Sequence, residues 1–192
     1  RKWSRKVSNK YNTNHIEIEI GLDDIEKYVL DSILAFDEPY ADPSTIPSFI
    51  ISNLISKNFK TAISGDGGDE LVGGYKRTHK LLQSRNSLKN LYKFLNKIYP
   101  NHLGTGNNFL KHSRDLKEAT ASFFSDKNFI NFLGLDDNFT FEDKYYKNLN
   151  SDYKTLLNVE YSFYLSEMMM LKVDRTSMSN SLEVRSPFVD HR

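Results

Sequence analysis

The sequence predicts an α/β fold, with an α/β part containing parallel strands at residues 1–75 and a mainly helical part at residues 76–192. Two observations indicate this class. Segments with the two-residue period of a strand alternate with segments whose apolar residues recur at helical spacing. A glycine-rich turn also follows the apolar run Thr61–Ile63, which is typical of a short central strand. We expect the 192 residues to belong to one domain.

The first part is predicted to begin with a half-buried strand at His15–Ile20, where apolar and charged residues alternate. A helix follows, capped by Asp23 or Asp24, and ends near Leu34. A second helix is predicted over Pro47–Lys57. Strands that alternate with helices in this way favour parallel pairing.

The second part shows no convincing strand until the end of the chain. Residues 76–99 have the apolar spacing of a helix, and Pro100–Asn108 is predicted as a loop rich in glycine and asparagine. Residues 115–150 are predicted as brief helices and turns. Thr155–Met170 is predicted as a strongly amphipathic helix.

The composition limits the kinds of function that the chain can have. The net charge is +1 and no basic stripe occurs, so nothing indicates nucleic-acid binding. No run approaches the ~20 apolar residues of a membrane helix. The chain has no cysteine, which excludes disulfide and thiol chemistry and fits a reducing cytoplasm. Because Arg1 is not a start methionine and Arg192 directly follows a motif, we expect a fragment of a longer protein.

The segment Ser64–Glu70, SGDGGDE, carries the densest chemical signal. Its glycines allow a sharp turn and a close approach of the backbone to a ligand. A following helix N-terminus would offer N–H groups to an anion. Its three carboxylates would repel a phosphate unless a divalent cation lay between them, and Mg²⁺ commonly binds in this way. The segment therefore indicates a site for Mg-nucleotide or Mg-pyrophosphate.

Local chemistry leaves two other interpretations of this segment open. It could be an ordinary polar turn, because short glycine-rich motifs are weak evidence. It could also be a Ca²⁺-binding loop, although it lacks the ligand spacing of an EF-hand.

A second cluster of charged residues lies near the C-terminus. Asp174 and Glu183 would face opposite sides of a straight helix, but Ser177–Ser181 is a plausible break. Pro187 favours extended structure before it, so Glu183 and Arg185 would share one side. Taken alone, the cluster favours structural ion pairs, such as Asp174–Arg175 and Glu183–Arg185, over an active site, because structural ion pairs are commoner.

Three stretches together resemble the synthetase domain of glutamine-dependent asparagine synthetases. They are FDEPYADPSTIP (36–47), SGDGGDELVGGY (64–75) and LKVDRTSMSNSLEVRSPFVDH (171–191). The resemblance implies a Rossmann-like nucleotide-binding fold of the ATP-pyrophosphatase type. It also implies that ATP, with Mg²⁺, activates aspartate as an acyl-adenylate, and that ammonia then displaces AMP to give asparagine. An N-terminal glutaminase domain would supply the ammonia. Whether the protein forms a homodimer is left open.

The resemblance implies roles for four carboxylates. Asp69 matches the aspartate that binds Mg²⁺, and Asp66 matches an acidic residue that orients ammonia or takes its proton. Asp174 matches a substrate-binding position. Glu183 matches a member of the catalytic pair of the related β-lactam synthetases, which carry a tyrosine at the position of Asp66. Arg185 is expected to hold its own segment in place.

The resemblance also assigns the uncharged residues of the turn. Ser64 and Gly65 would lie against the nucleotide or the substrate aspartate. Gly67 and Gly68 would approach the nucleotide with Gly65. Glu70 is expected to hold the turn rather than to contact a ligand.

Three parts that the resemblance calls for do not occur in the chain. A phosphate-gripping Ser-Gly-Gly-x-Asp-Ser loop should precede Arg1, together with the glutaminase domain, and a lysine should follow Arg192. We therefore expect the 192 residues alone to be inactive. Two alternatives are an amidotransferase acting on another carboxylate, in surface-polysaccharide or natural-product synthesis, and a non-catalytic nucleotide-binding scaffold.

Overall fold

A computed structural model of the protein describes residues 2–86, 94, 116–121, 123–124, 134 and 145–190. Its elements in chain order are α1 (Lys2–Tyr11), α2 (Leu22–Leu34), α3 (Thr45–Ser56), β1 (Thr61–Ile63), α4 (Gly68–Val72), α5 (Lys76–Asn86), α6 (Leu116–Ala121), α7 (Asp152–Val159), a π-helix (Glu160–Met169), α8 (Met170–Met178), β2 (Glu183–Arg185) and a 3-10 turn (Pro187–Val189). The chain divides into two compact units. Unit 1 comprises Arg1–Ala62 and Asp174–Glu183, and unit 2 comprises Ile63–Val173 and Val184–Arg192.

The mixed α/β class is confirmed, with a small parallel sheet of β1 and β2. The Glu183 N–H donates to the Lys60 carbonyl at 2.9 Å, and the Ser64 N–H donates to the Arg185 carbonyl at 2.9 Å. The strand predicted at Thr61–Ile63 is therefore present. Among the described residues, β1 pairs on one side only, so the predicted central position is not seen there.

The strand predicted at His15–Ile20 is wrong. The segment has no regular structure, and Ile16 and Ile18 are 72% and 44% exposed. Alternation produces a strand only where a partner takes the backbone hydrogen bonds and a surface covers the apolar face. A side-chain contact ties the segment to α1 instead, since Arg5 Nε donates to Glu17 Oε1 at 2.5 Å. This bond holds the pKa of the exposed Glu17 carboxyl at about 2.

The two helices predicted in unit 1 are confirmed, with shifted starts. Gly21, rather than an aspartate, is the N-cap of α2, and its N–H donates to the Asp24 carboxylate at 3.0 Å. Helix α3 begins at Thr45, which places Pro47 in the first turn, where no helical N–H is needed. The two helices pack together around the buried side chains of Phe49 and Ile50.

The helix predicted at Thr155–Met170 is longer than expected. Helical structure is continuous from Asp152 to Met178, and its central ten residues, Glu160–Met169, form a π-helix. Ser151 is its N-cap, and the Ser151 hydroxyl oxygen accepts from the Lys154 N–H at 3.3 Å. Among the described residues, no helix combines the length and apolar character that crossing a membrane requires.

Part of the central region can be compared with its prediction. The helix expected at 76–99 is confirmed over Lys76–Asn86 and at Phe94. Its remainder, the loop at 100–108 and most of 115–150 lie outside the described residues. The buried side chains of unit 2 join α5, α6 and α7 into one cluster, formed by Leu81, Leu116, Ala119 and Leu156.

A partly buried ion pair fixes the start of the π-helix in unit 2. Arg77 Nε donates to Glu160 Oε1 at 2.8 Å, and the Thr78 hydroxyl donates to the same oxygen at 3.1 Å. The rings of Tyr75 and Tyr164 lie against the guanidinium, at 4.5 and 4.1 Å. Burial lowers the pKa of Arg77, but the Glu160 carboxylate outweighs it and the net shift is upward. The residues just after the glycine-rich turn are thereby anchored to the long helix.

Candidate functional site at the glycine-rich turn

The glycine-rich turn, residues 64–74, follows β1 and encloses the short helix α4. Gly67 is the N-cap of α4 with φ +88°, and Gly73 is its C-cap with φ +70°. Both values lie in the left-handed region, which glycine adopts without steric cost. The predicted order of strand, tight turn and helix is confirmed. Because α4 has only five residues, its dipole adds little to anion binding.

One part of the turn, which we call the packed side, consists of Gly67, Gly68 and Gly73. A Cβ on Gly67 would lie 3.0 Å from Val189 Cγ2, and one on Gly68 would lie 3.6 Å from the Phe188 ring. A Cβ on Gly73 would lie 2.6 Å from the Tyr153 hydroxyl. Backbone conformation and packing therefore account for Gly67 and Gly73, whereas Gly68 would make only an ordinary contact. The nucleotide contacts expected of Gly67 and Gly68 stay predictions.

The other part, which we call the open side, consists of Ser64 and Gly65. A Cβ on Gly65 would have no atom of the described part of the chain within 4 Å. The Ser64 hydroxyl oxygen is buried, and no described residue forms a hydrogen bond with it. A buried hydroxyl without a partner is costly and uncommon in native proteins. The open side thus combines free space with a polar atom that lacks a partner.

The C-terminal motif lies directly against the turn within unit 2. In addition to the Ser64–Arg185 backbone bond, the Ser186 hydroxyl donates to the Asp66 carbonyl. The Arg185 carbonyl and the Ser186 side chain therefore support the residues on both sides of Gly65. This arrangement agrees with the scaffold role expected of that segment.

The three carboxylates of the turn have different surroundings. Glu70 is buried, and its carboxylate accepts from the Tyr75 hydroxyl at 2.6 Å. Burial and this carboxylate raise the pKa of Tyr75 well above its usual value. This buried contact agrees with the structural role expected of Glu70. Asp66 is half-buried and Asp69 is exposed, so both can be reached from solvent.

Asp69 lies against the glycine pair at the end of α4. Its carbonyl accepts from the N–H groups of Gly73 and Gly74, the latter at 2.9 Å. Its carboxylate oxygen Oδ1 would be only 2.0 Å from a Cβ built on Gly74. The carboxylate thus lies in the space that any side chain at position 74 would need.

The donors that the turn presents can be compared with the needs of Mg²⁺ and ATP. Among the described residues, no group of three or more His, Cys, Asp or Glu is arranged to hold a metal. Mg²⁺ bound with a nucleotide often takes only one or two carboxylates, and phosphates and waters provide the rest. One exposed carboxylate at Asp69 fits that arrangement, and the open side fits a ligand that needs a hydrogen bond and close backbone approach.

The remaining predicted site residues lie in unit 1. Asp174 is exposed on α8, and Glu183 is the exposed first residue of β2. The break expected within Ser177–Ser181 is confirmed, since α8 ends at Met178 and β2 begins five residues later. Asp66 belongs to unit 2, and the catalytic roles expected of Asp66 and Glu183 stay predictions.

Comparison with known proteins identifies the family. The sequence model of the asparagine synthase family matches residues 1–192. The chain belongs to the asparagine synthase family. This confirms the resemblance that the three sequence stretches indicated.

Two relatives in Bacillus subtilis illustrate the similarity. The chain is 28% identical to asparagine synthetase (glutamine-hydrolyzing) 1 over 171 residues. The matched region covers 81% of the chain and 27% of the relative. It is 26% identical over 200 residues to asparagine synthetase (glutamine-hydrolyzing) 3, covering 99% of the chain and 28% of the relative. The chain therefore spans little more than a quarter of the length of these relatives. No solved structure matches it.

One ion pair connects two of the family-like stretches in a way that the sequence did not reveal. Arg175 Nη2 lies 2.6 Å from Asp37 Oδ2, whereas the sequence suggested Asp174 as its partner. Both residues belong to unit 1, and they join the FDEP stretch to the KVDR stretch. The opposite charges were visible in the sequence, but nothing in it specified a contact between residues so far apart.

Proposed function

We propose that the whole protein is an ATP-dependent, amide-forming ligase that converts aspartate to asparagine. Ammonia would derive from glutamine, since both relatives are named as glutamine-hydrolyzing. An N-terminal domain, which the family resemblance implies, would hydrolyse it. Residues 1–192 would be part of one synthetase domain with a nucleotide-binding fold of the ATP-pyrophosphatase type. The observation that carries the proposal is the open side, where the partnerless Ser64 hydroxyl lies beside the uncovered Gly65.

The position of the open side in the sheet supports ligand binding there. Ser64 and Gly65 directly follow β1, and ligands of open α/β sheets bind beyond the carboxyl ends of the strands. The Ser64 hydroxyl would donate to, or accept from, a polar atom of the nucleotide or the substrate. The main chain at Gly65 would approach that ligand closely, because no side chain intervenes.

Asp69 is the residue proposed to hold Mg²⁺, in combination with phosphate oxygens of ATP. Bound there, the ion would neutralise the charge that develops on the phosphates as pyrophosphate departs. The exposed carboxylate and its fixed main chain support this assignment.

Asp66, Asp174 and Glu183 are proposed to act on aspartate and ammonia. In the first step, an oxygen of the aspartate side-chain carboxylate attacks the α-phosphorus and pyrophosphate leaves. In the second step, the ammonia nitrogen attacks the acyl carbon, the bond from that carbon to the AMP oxygen breaks, and a proton leaves nitrogen. Asp66 would orient the ammonia or take that proton, and Glu183 is proposed as a further catalytic residue. Asp174 would bind the substrate.

A direct test uses the whole protein with ATP, Mg²⁺, glutamine and aspartate, and follows the products by mass spectrometry. We expect asparagine, AMP and pyrophosphate, all lost in Asp69→Ala. If AMP forms only with a different carboxylic acid, that acid replaces aspartate as the proposed substrate. Folded protein that does not bind Mg-ATP would overturn the proposal and indicate a non-catalytic scaffold.

A further inference from the structure

We infer that Gly74 is a positioning residue for Asp69. The missing side chain at position 74 leaves the space in which the Asp69 carboxylate lies, and this space sets the direction in which the carboxylate points. The inference rests on the proposed function, in which Asp69 holds Mg²⁺. It adds a residue to which neither the family resemblance nor the comparisons assign a role.

The steric relation between Gly74 and Asp69 is specific. A Cβ on Gly74 would lie 2.0 Å from Oδ1, 2.8 Å from Cγ and 3.2 Å from Cβ of Asp69. These are its three nearest neighbours, so the first group that an added methyl would displace is this carboxylate. Non-bonded carbon and oxygen atoms do not approach to 2.0 Å, so the carboxylate must move.

The backbone gives the carboxylate no other way to avoid the collision. The Asp69 carbonyl accepts from the Gly73 and Gly74 N–H groups, which holds the two main-chain segments together. Relief must therefore come from rotation about the side-chain bonds of Asp69, and those bonds have only a few staggered positions. A different rotamer directs the carboxylate oxygens elsewhere.

Comparison with Gly73 shows that position 74 needs glycine for a different reason. Gly73 has φ +70°, a backbone conformation that favours glycine whatever surrounds it. Gly74 is not among the residues with positive φ, so its backbone would accept alanine. The Asp69 carboxylate is the group that a side chain there would displace.

The experiment is a double-mutant cycle on the whole protein, with binding of a fluorescent ATP analogue measured over a range of Mg²⁺ concentrations. The four proteins are the parent, Asp69→Ala, Gly74→Ala and the double variant. We expect Gly74→Ala to raise the Mg²⁺ concentration for half-maximal binding by about tenfold or more, as loss of a ligand-orienting residue typically does. In the Asp69→Ala background, the same substitution should change nothing further.

Gly21→Ala is the matched control. A Cβ on Gly21 would meet Asp24 at an ordinary 3.7 Å, and Gly21 lies in unit 1, outside the turn. We expect this variant to bind the analogue with the Mg²⁺ dependence of the parent. A change as large as that of Gly74→Ala would overturn the inference, because any glycine-to-alanine change would then have the same effect.

The outcomes separate this inference from the proposed function. If Asp69→Ala shifts the Mg²⁺ dependence and Gly74→Ala does not, the inference is wrong and the metal role stands. If Asp69→Ala has no effect, the metal role fails and the inference fails with it. An equal effect of Gly74→Ala with and without Asp69 also overturns the inference.

Stability provides a second readout in case Gly74→Ala folds poorly. Removing the Asp69 carboxylate removes the overlapping atoms, so the double variant should regain the unfolding midpoint of Asp69→Ala. Recovery of that midpoint supports the steric relation. Equal loss of folding with and without Asp69 contradicts it.

Discussion

The open side and the packed side of the glycine-rich turn are adjacent in sequence but differ in what surrounds their glycines. On the packed side, Gly67 and Gly73 have left-handed backbones, and an added Cβ would meet Val189 or Tyr153. On the open side, an added Cβ on Gly65 would meet nothing. Glycines in one motif therefore serve two purposes, and substitutions on the two sides should affect different measurements.

Gly73→Ala should give the largest loss of stability, and it is therefore the strongest test of the difference between the packed side and the open side. A left-handed backbone costs an alanine about 1–2 kcal/mol. The overlap with the Tyr153 hydroxyl, 2.6 Å from the new Cβ, adds roughly 1–3 kcal/mol. We expect the free energy of unfolding to fall by about 3 kcal/mol, as measured by urea denaturation of the whole protein. A fall of only about 1–2 kcal/mol would mean that the overlap with Tyr153 contributes nothing, and a smaller fall would contradict the backbone cost as well.

Gly67→Ala should give a smaller loss. Its backbone is also left-handed, but the new Cβ meets the Val189 methyl at 3.0 Å, and a side chain can yield by a few tenths of an ångström. We expect a fall in the free energy of unfolding of about 2 kcal/mol. Gly68→Ala provides the matched control, because its Cβ would make only an ordinary 3.6 Å contact with Phe188. Equal effects of these two variants would contradict the packing argument.

Ser64→Ala should have the opposite sign, because the buried hydroxyl has no partner to lose. Removing it should raise the free energy of unfolding by about 1 kcal/mol. The same change should weaken ATP binding about fivefold to tenfold, since a hydrogen bond to the ligand disappears. Calorimetric unfolding and titration with Mg-ATP measure the two effects. Destabilisation without any change in ATP binding would show that the hydroxyl has a structural partner in solution.

Gly65→Ala should have the smallest effect on stability. Its Cβ enters open space, so we expect a change in unfolding free energy of no more than about 1 kcal/mol. The methyl group would occupy the space proposed for the ligand, so ATP affinity should fall by about tenfold or more. Binding equal to that of the parent protein would remove Gly65 from the proposed site and weaken the distinction between the two sides.

Local signals in the sequence were sufficient for the turn and for the helices next to it. The run Thr61–Ile63 followed by glycines predicted a strand and a turn, and Pro187 predicted the extended segment before it. The same kind of signal was misleading at His15–Ile20. Alternation indicates only which residues could share one face of a strand. It does not report whether a partner strand lies beside them.

Other features depended on contacts between distant residues, which one sequence does not specify. The different reasons for glycine at positions 65 and 67 depend on where Phe188 and Val189 pack. The π-helix begins at Glu160, whose partner Arg77 is 83 residues earlier in the chain. Apolar spacing predicted a helix there but could not distinguish i+4 from i+5 hydrogen bonds over ten residues.

The hydrogen bond from Ser186 to Asp66 also has a consequence for synthesis on the ribosome. It joins residues 120 positions apart, so the turn emerges long before the segment on which its packed side rests. At about 5–20 residues per second, that interval lasts roughly 6–24 seconds. During this time, the nascent chain has β1 without β2, and Gly67 and Gly68 lack their packing partners Phe188 and Val189. The site can therefore form only when nearly all of the 192 residues have been translated.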